Sequence, residues 1–244
     1  MNRPIFPLKP PPPVFTNRLL SALPAKVRAQ VLASCEPVEL AFDQVLVETA
    51  EPMPYVYFPT TSFISLVTPM GGKDILEVAL TGNEGMFGVS VALGAATSTV
   101  RGLVQGAGSA WRMSASAFRR ELAANPAFTR EVFRYINVRM VQLAQSAGCN
   151  RFHVVEKRLA RWLLMTSDRA HSPHILITHE FLAFMLGVRR VGITKAATAL
   201  QKAKLISYMR GKVQILDRAG LEAAACVCYQ VDLDSYAKTM GGAA

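Results

Sequence analysis

The sequence predicts an α+β protein in which a strand-rich first half is followed by a long helix and a small C-terminal domain. Between residues 37 and 113, short runs of β-branched and aromatic residues alternate with Pro and Gly. From residue 125, apolar residues recur at steps of three and four, as on one face of a helix. Beyond residue 177, two short helical patterns precede two strand-like runs joined by a basic turn.

The composition is that of a folded chain with a surplus of positive charge. Of the 244 residues, 51% are hydrophobic and 18% are charged, enough for two modest domains without disulfide bonds. The net charge of +10 favours a polyanionic partner, either nucleic acid or an anionic membrane face. No apolar run reaches the ~18 residues that cross a bilayer, and the start lacks the apolar core of a secretory signal. We therefore expect a cytoplasmic protein.

The positive charge is concentrated toward the C-terminus. Residues 1–149 hold 13 basic and 10 acidic side chains, whereas residues 150–244 hold 14 and 7. Between Gly187 and Val213 there are seven basic residues and no acidic one. Because an ordinary solvated surface mixes both signs, this segment predicts a contact surface for a polyanion.

These patterns divide the chain into five segments. Residues 1–16 are proline-rich and predict a flexible or polyproline-II arm. Residues 17–124 form the strand-rich domain, 125–149 the long helix, 150–232 the C-terminal domain and 233–244 a tail. Short strands without intervening helices favour a β-sandwich or barrel. The predicted strands cover residues 45–47, 55–58, 62–67, 75–79, 100–104 and 110–113.

The long helix can begin at Asn125, a capping residue, and Pro126, which suits the first helical turn. Its apolar stripe can pair with the same helix of a second chain. The alternative is that the stripe packs on the strand-rich domain of its own chain. A second helix is predicted from residue 152 to about 166, with a loop at 168–173. The candidate dimer contacts are Val132, Ile136, Met140, Leu143 and Ala147.

The segment from Ile177 to Leu216 predicts a winged helix-turn-helix. Thr178 can cap a short helix, and Gly187 supplies the positive φ that a tight turn between helices requires. A second helix follows from about residue 189 to 202. Two strand-like runs, 205–209 and 213–216, form a hairpin with a basic tip. In DNA-binding domains of this layout, the second helix enters the major groove.

The outward face of that second helix carries side chains suited to a DNA duplex. Arg can donate two hydrogen bonds to guanine, whereas Lys and Thr serve phosphates and Val191 can contact a thymine methyl group. His179, beside the presumed cap, is expected at a phosphate. The candidate DNA-binding residues are Thr178, His179, Arg189, Arg190, Val191, Thr194, Lys195, Thr198, Lys202, Arg210 and Lys212.

From about residue 19 to 229, the chain resembles the Crp/Fnr family of bacterial transcription regulators. The matching stretches are GNEGMFG at 82–88, VEKRLARWLLM at 155–165 and ITHEFLAFMLGVRRVGITKAATALQKAKLI at 177–206. The resemblance implies a jelly roll of the cyclic-nucleotide-binding type, a dimerisation helix and a winged helix. It also implies a homodimer that reads a two-fold operator in double-stranded DNA, with RNA polymerase as a candidate partner. Arg190, Val191 and Lys195 match positions that read bases or backbone.

The chain departs from the cyclic-AMP-binding members of that family. Those members use a Glu for the ribose and, shortly after it, an Arg for the phosphate. Here Glu84 and Arg101 are seventeen residues apart, and Ser98 stands where the Arg is expected. Because a buried phosphate without a cation is costly, we expect no binding of cyclic AMP and leave the effector open. Val191 replaces an acidic residue of well-known members, which implies a different operator preference.

The cysteines give no sign of a metal site or cofactor. Cys35, Cys149, Cys226 and Cys228 show no CxxC pair and no His at ligand spacing, which predicts four ordinary reduced thiols. The N-terminal cysteine cluster of oxygen-sensing Crp/Fnr members is also missing.

No catalytic constellation is found, so we expect no enzyme. The four histidines have no nucleophile or carboxylate motif around them, and GNEGMFG lacks the Walker and dinucleotide patterns, which makes it a turn at the edge of the sandwich. The alternative to a DNA-binding regulator is a ligand-binding or scaffold protein whose winged helix contacts protein or RNA.

Overall fold

A computed structural model describes residues 16–71 and 74–241. The predicted proline-rich arm therefore lies outside the described residues except for Thr16. Among the described helices, none is long and apolar enough to span a bilayer.

The first part of the chain is an antiparallel β-sandwich entered through two short helices. Asn17 caps the first helix and also donates from its side chain to the carbonyl oxygens of Pro59 and Gly85, which ties the start of the chain to the sandwich. The elements are α1 (Arg18–Ser21), α2 (Ala25–Ala33), β1 (Glu36–Leu40), β2 (Val45–Val47), β3 (Tyr55–Pro59), β4 (Phe63–Gly71), β5 (Asp74–Thr81), α3 (Val89–Ala92), β6 (Arg101–Gly106) and β7 (Gly108–Ser114).

The strands form two sheets, ordered β1-β7-β3 and β2-β6-β4-β5. Each of the six predicted runs overlaps one of these strands, and the predicted jelly-roll class is confirmed. Sequence reasoning missed β1, whose Pro37 interrupts the apolar pattern, although its five residues pair in register with β7.

Two helices close the sandwich, α4 (Ala115–Ala124) and α5 (Pro126–Phe152). Ser114 caps α4 by accepting a hydrogen bond from the Ala117 N–H at 3.2 Å. Rings from both helices, Phe118 and Phe128, stack edge-on with centroids 5.7 Å apart, over Phe58 of β3. The buried face of α5 is thus fixed against the sandwich of its own chain.

The C-terminal domain is a winged helix-turn-helix. After α6 (Val155–Ala170), its elements are β8 (His174–Leu176), α7 (His179–Leu186), α8 (Arg190–Lys202), β9 (Ile206–Met209), β10 (Lys212–Ile215), α9 (Arg218–Ala224) and α10 (Cys228–Met240). The wing is a three-stranded sheet ordered β8-β10-β9. Its core includes Val67 and Leu103 of the sandwich, so the two domains pack directly on one another.

Two predicted irregular segments are helical instead. Helix α6 continues through Asp168 to Ala170, where a loop was expected, because His171 supplies the left-handed C-cap with φ +49°. Residues 233–240 of the expected tail form the second half of α10, which packs along α5, and residues 242–244 lie outside the described residues. Tyr236 holds it there by donating to the Glu84 carbonyl oxygen at 2.8 Å.

Candidate nucleic-acid interface

Helices α7 and α8 form the helix-turn-helix in the predicted place. The Thr178 hydroxyl oxygen accepts from the Phe181 N–H at 3.1 Å and caps α7. Gly187 ends α7 in the left-handed conformation with φ +60°. The inner face of α8, which includes the fully buried Ile193 and Ala197, packs in the core with α7. The opposite face of α8 is therefore turned outward.

Ten of the eleven predicted DNA-binding side chains are exposed, and the eleventh, His179, is half-buried. Val191 is 59% exposed although it is apolar, so the described residues leave most of its surface uncovered. The exposed ten are Thr178, Arg189, Arg190, Val191, Thr194, Lys195, Thr198, Lys202, Arg210 and Lys212.

His179 connects three parts of the interface. Its Nδ1 lies 3.1 Å from the Thr194 hydroxyl on α8, and its ring meets the Tyr208 ring of β9 edge-on at 4.5 Å. Burial, with a smaller contribution from the Arg190 charge, lowers the pKa of His179 below its usual value. A neutral imidazole in these contacts positions α8 and the wing relative to each other, a role that the sequence did not indicate.

The wing tip is a two-residue turn at Arg210 and Gly211. Both residues have positive φ, +50° and +77°, as type I′ hairpin turns require. The Gly211 carbonyl oxygen accepts from the Ile177 N–H at 2.8 Å, and the Tyr208 hydroxyl donates to the Ile177 carbonyl oxygen at 2.7 Å. These bonds hold the tip, with exposed Arg210 and Lys212, beside the start of α7.

The positive charges of this surface are not neutralised by carboxylates of the described chain. No salt bridge within residues 16–71 and 74–241 involves any of the seven basic side chains from Arg189 to Lys212. The eight ion pairs found among the described residues all lie outside this set of side chains. An exposed, unpaired set of cations is the electrostatic requirement for binding a polyanion.

The helix-turn-helix rests on the sandwich near the β4–β5 hairpin. A cleft of about 760 Å³ separates them and is lined by Met70, Leu76, Arg189 and Arg190 among others. A Cβ added to Gly187 would meet the Leu76 side chain at 2.9 Å, so the turn approaches β5 closely.

The glycine-rich stretch 82–88 is a turn, as expected, and is closed by groups from outside the sandwich. The Glu84 carboxylate pairs with Arg169 of α6 at 2.8 Å. The fully buried ring of Tyr135, from α5, packs so closely on Gly85 that a Cβ there would lie 1.9 Å from it. Ser98 is buried, and its hydroxyl donates to the Val100 carbonyl oxygen at 2.6 Å.

The candidate dimer contacts fall into two groups. Val132 and Ile136 are buried in the core of their own chain, which is the alternative considered for the stripe. Met140, Leu143 and Ala147 are exposed. Phe133 and Ala144 are also exposed on α5. The outward seam therefore begins at Phe133, one residue after the predicted Val132.

Three of the four cysteines are brought together with a histidine. The donor atoms of Cys149, His153, Cys226 and Cys228 all lie within 4.8 Å of one another. The prediction that no His lies at ligand spacing was wrong, since His153 follows Cys149 by one helical turn. That spacing, together with the Cys-x-Cys at 226–228, was the available signal. The fourth cysteine, Cys35, lies outside this group and packs against the hydrophobic core of the sandwich.

Residues 157–224 match the family of Crp-like helix-turn-helix domains. A comparison with curated protein sequences gave no match.

Solved structures of regulators share the fold. FixK2 from Bradyrhizobium japonicum is 13% identical, with a TM-score of 0.67 over 79% of this chain and 98% of its own. The c-di-GMP-responsive regulator CLP from Xanthomonas campestris is 15% identical, with a TM-score of 0.66 over 79% and 99%. A CRP/FNR-family regulator from Thermus thermophilus is 20% identical, with a TM-score of 0.63 over 78% and 98%. The chain thus carries a Crp-like helix-turn-helix domain on the fold of the Crp/Fnr family of transcription regulators, as its resemblance to that family predicted.

Proposed function

We propose that this protein is a transcription regulator that binds double-stranded DNA as a homodimer on a two-fold operator and has no enzymatic activity. The observation that carries the proposal is the outward face of α8. It presents Arg190, Lys195 and Lys202, together with the wing's Lys212, without a carboxylate partner in the described chain. A protein-docking surface would be expected to expose apolar anchors there instead.

The side chains divide by position into base readers and phosphate contacts. Arg190 and Val191 occupy the first turn of α8, the part of a recognition helix that reaches base edges. Arg190 can donate two hydrogen bonds to guanine, and Val191 fits a thymine methyl group. Lys202 at the end of α8 and Lys212 on the wing are placed to contact phosphates on either side.

The homodimer is proposed to form along the exposed seam of α5. Phe133, Met140 and Ala147 are spaced by seven residues, and Asn137 and Ala144 lie between them, which is the spacing of a coiled-coil stripe. Met140 is 64% exposed, a high value for a large apolar side chain. Pairing two copies of α5 would cover this seam and present two α8 helices to adjacent major grooves.

We further propose that the sandwich does not bind cyclic AMP in the manner of the cyclic-AMP-binding members. The carboxylate of Glu84 is committed to Arg169. The ring of Tyr135 fills the space over Gly85, and the ring of Phe87 does the same at Gly102, where a Cβ would lie 2.3 Å from it. Arg101 pairs with Glu48 at 3.3 Å. The arginine that follows Ser98 most closely in the sequence therefore already has a carboxylate partner.

The test is selection of bound sequences from a library of random duplexes by the full-length protein. We expect the selected DNA to contain an inverted repeat with half-sites about one helical turn, ~34 Å, apart. Two double variants are compared. Lys195→Ala with Lys202→Ala changes the outward face of α8, and Arg119→Ala with Arg120→Ala, at two exposed positions of α4, is the control. If the α8 variant loses selection and the α4 variant keeps it, the proposal is supported. If a random RNA library tested in parallel binds better than the duplexes, or if both variants lose selection equally, the proposal is overturned.

A further inference from the structure

A cluster of metal-ligating side chains lies at the junction of the long helix with the C-terminal domain. The cluster is Cys149, His153, Cys226 and Cys228, referred to below as the Cys₃His cluster. The three cysteines are buried and the histidine is half-buried. The Sγ atoms of Cys149 and Cys226 are 3.5 Å apart, and His153 Nδ1 lies 3.4 Å from the Cys228 Sγ. All four donor atoms lie within 4.8 Å of one another.

The cluster forms where two chain junctions meet. Cys149 lies in the last turn of α5, and His153 is the C-cap whose N–H donates to the Cys149 carbonyl oxygen at 3.1 Å. This puts both donors on one side of the helix end. Cys226 lies between α9 and α10, and Cys228 is the first residue of α10. The Cys226 carbonyl oxygen accepts from the Tyr229 N–H at 3.1 Å, which turns both thiols toward α5.

The distances fit one tetrahedral ion. Zn–S bonds of about 2.3 Å and Zn–N bonds of about 2.0 Å place donors in a tetrahedron about 3.5–3.8 Å apart. The Cys149–Cys226 and His153–Cys228 separations are 3.5 and 3.4 Å, and every donor pair lies within 4.8 Å. A disulfide between Cys149 and Cys226 would need sulfur atoms at about 2.05 Å, so this pair is not bonded. Thiolates and imidazole prefer zinc over the hard cations Mg²⁺ and Ca²⁺.

Buried polar side chains surround the Cys₃His cluster. The guanidinium groups of Arg158 and Arg161 are buried nearby and interact electrostatically with Cys149 and Cys226. The Gln145 side-chain amide donates to the Cys228 Sγ at 3.0 Å. Donors of this kind orient metal-bound ligands and tune the site.

We propose that the Cys₃His cluster is a mononuclear zinc site of the closed, structural kind, with all four ligands supplied by this chain. Binding displaces the thiol protons and leaves a complex of net charge −1 near the buried guanidinium group of Arg158, while Arg161 already pairs with Asp232 at 2.6 Å. The segment between His153 and Cys226 contains the whole helix-turn-helix and wing. The ion therefore fastens both ends of the DNA-reading domain to the end of α5.

The first experiment needs no variant. Full-length protein is reduced, incubated with Zn²⁺, desalted and analysed by mass spectrometry for metal and for intact mass. We expect one zinc per chain, with all cysteines reduced. A titration with Co²⁺ should give the thiolate-to-cobalt charge-transfer and ligand-field absorption of a tetrahedral sulfur-rich site. Absence of bound metal in the reduced protein, or a chain lighter by two hydrogen atoms, as in a disulfide, would overturn the proposal.

Variants locate the ion. Cys226→Ser should abolish zinc retention, whereas Cys35→Ser, which changes the one cysteine outside the cluster, should leave it unchanged. Gln145→Ala should weaken zinc binding by about 10–100-fold because it removes the donor to Cys228. If circular dichroism shows that Cys226→Ser does not fold, the same test is made with His153→Gln, which changes the half-buried ligand. Equal zinc content in the ligand variants and in Cys35→Ser would place the metal elsewhere and refute the assignment.

Discussion

Trp162 of α6 donates its indole N–H to the carboxylate of Glu77 in β5, with 2.8 Å between Nε1 and Oε1. Glu77 also accepts from the hydroxyl group of Ser65 in β4. The carboxyl group thus lies between the sandwich and the C-terminal domain. Burial raises the pKa of Glu77 to about 7, although both hydrogen bonds and the charges of Arg169 and Arg161 lower it.

This arrangement predicts a pH-dependent stability. The unfolded chain releases the Glu77 proton near pH 4.5, whereas the folded chain keeps it to about pH 7. Because the folded state binds more protons between these values, its stability falls as pH rises through the window and is level above it. In Glu77→Gln this component is absent. The wild-type minus variant difference in unfolding free energy should change by up to about 1.4 kcal/mol per pH unit there.

The measurement is urea unfolding at several pH values, followed by tryptophan fluorescence. Glu156→Gln is the control, because it removes the same charge at an exposed position of α6. If the wild-type and Glu77→Gln curves run parallel from pH 4.5 to 7, Glu77 does not hold its proton in the folded state.

Arg190→Ala should relax base preference at one position of each half-site. The loss of a bidentate contact to guanine reduces discrimination at that position by about 1–3 kcal/mol and leaves the other positions as they were. Competition binding with single-base operator variants measures it. Arg120→Ala, an exposed change of the same charge on α4, serves as the control. If selectivity is unchanged in Arg190→Ala, this side chain does not read a base.

The outward face of α8 could be predicted because its determinants are local. Thr178, Gly187 and the small apolar residues of α8 fix a cap, a turn and a buried face within a short stretch, so the exposed face follows from the period of the helix. The same local logic placed the strand-like runs of the sandwich. It failed at β1, whose place in the sheet depends on its pairing with β7 rather than on its own pattern.

What could not be predicted depends on contacts between distant segments. Helical spacing placed Val132 and Ile136 on one apolar face of α5. It could not show whether the sandwich of the same chain or a second chain covers that face. His179 was expected at a phosphate, whereas its contacts to Thr194 and Tyr208 come from elements that meet only in the fold. The Cys₃His cluster joins residues 77 positions apart, which no sequence window spans.

Lys212→Ala should weaken binding to all duplexes about equally. A wing lysine that contacts a phosphate supplies affinity without reading bases, and its removal frees one fewer counterion per wing on binding. The slope of log affinity against log salt should therefore decrease by about one unit for each wing. Titrations at several salt concentrations, with both a selected operator and a random duplex, provide the measurement. A loss confined to the operator would show that Lys212 reads sequence.

The two sides of α5 should respond differently to substitution. Met140→Asp places a charge in the exposed seam and should convert a dimer into monomers, while Ile136→Ala should destabilise the protomer by about 2–5 kcal/mol through the cavity it leaves in the core. Sedimentation at a fixed concentration measures the first effect and urea unfolding the second. Leu93→Asp, at a 66% exposed site on the sandwich, is the control for Met140→Asp. If both aspartate variants remain dimeric, α5 does not pair along this seam, and the two α8 helices must be presented to the operator by another surface.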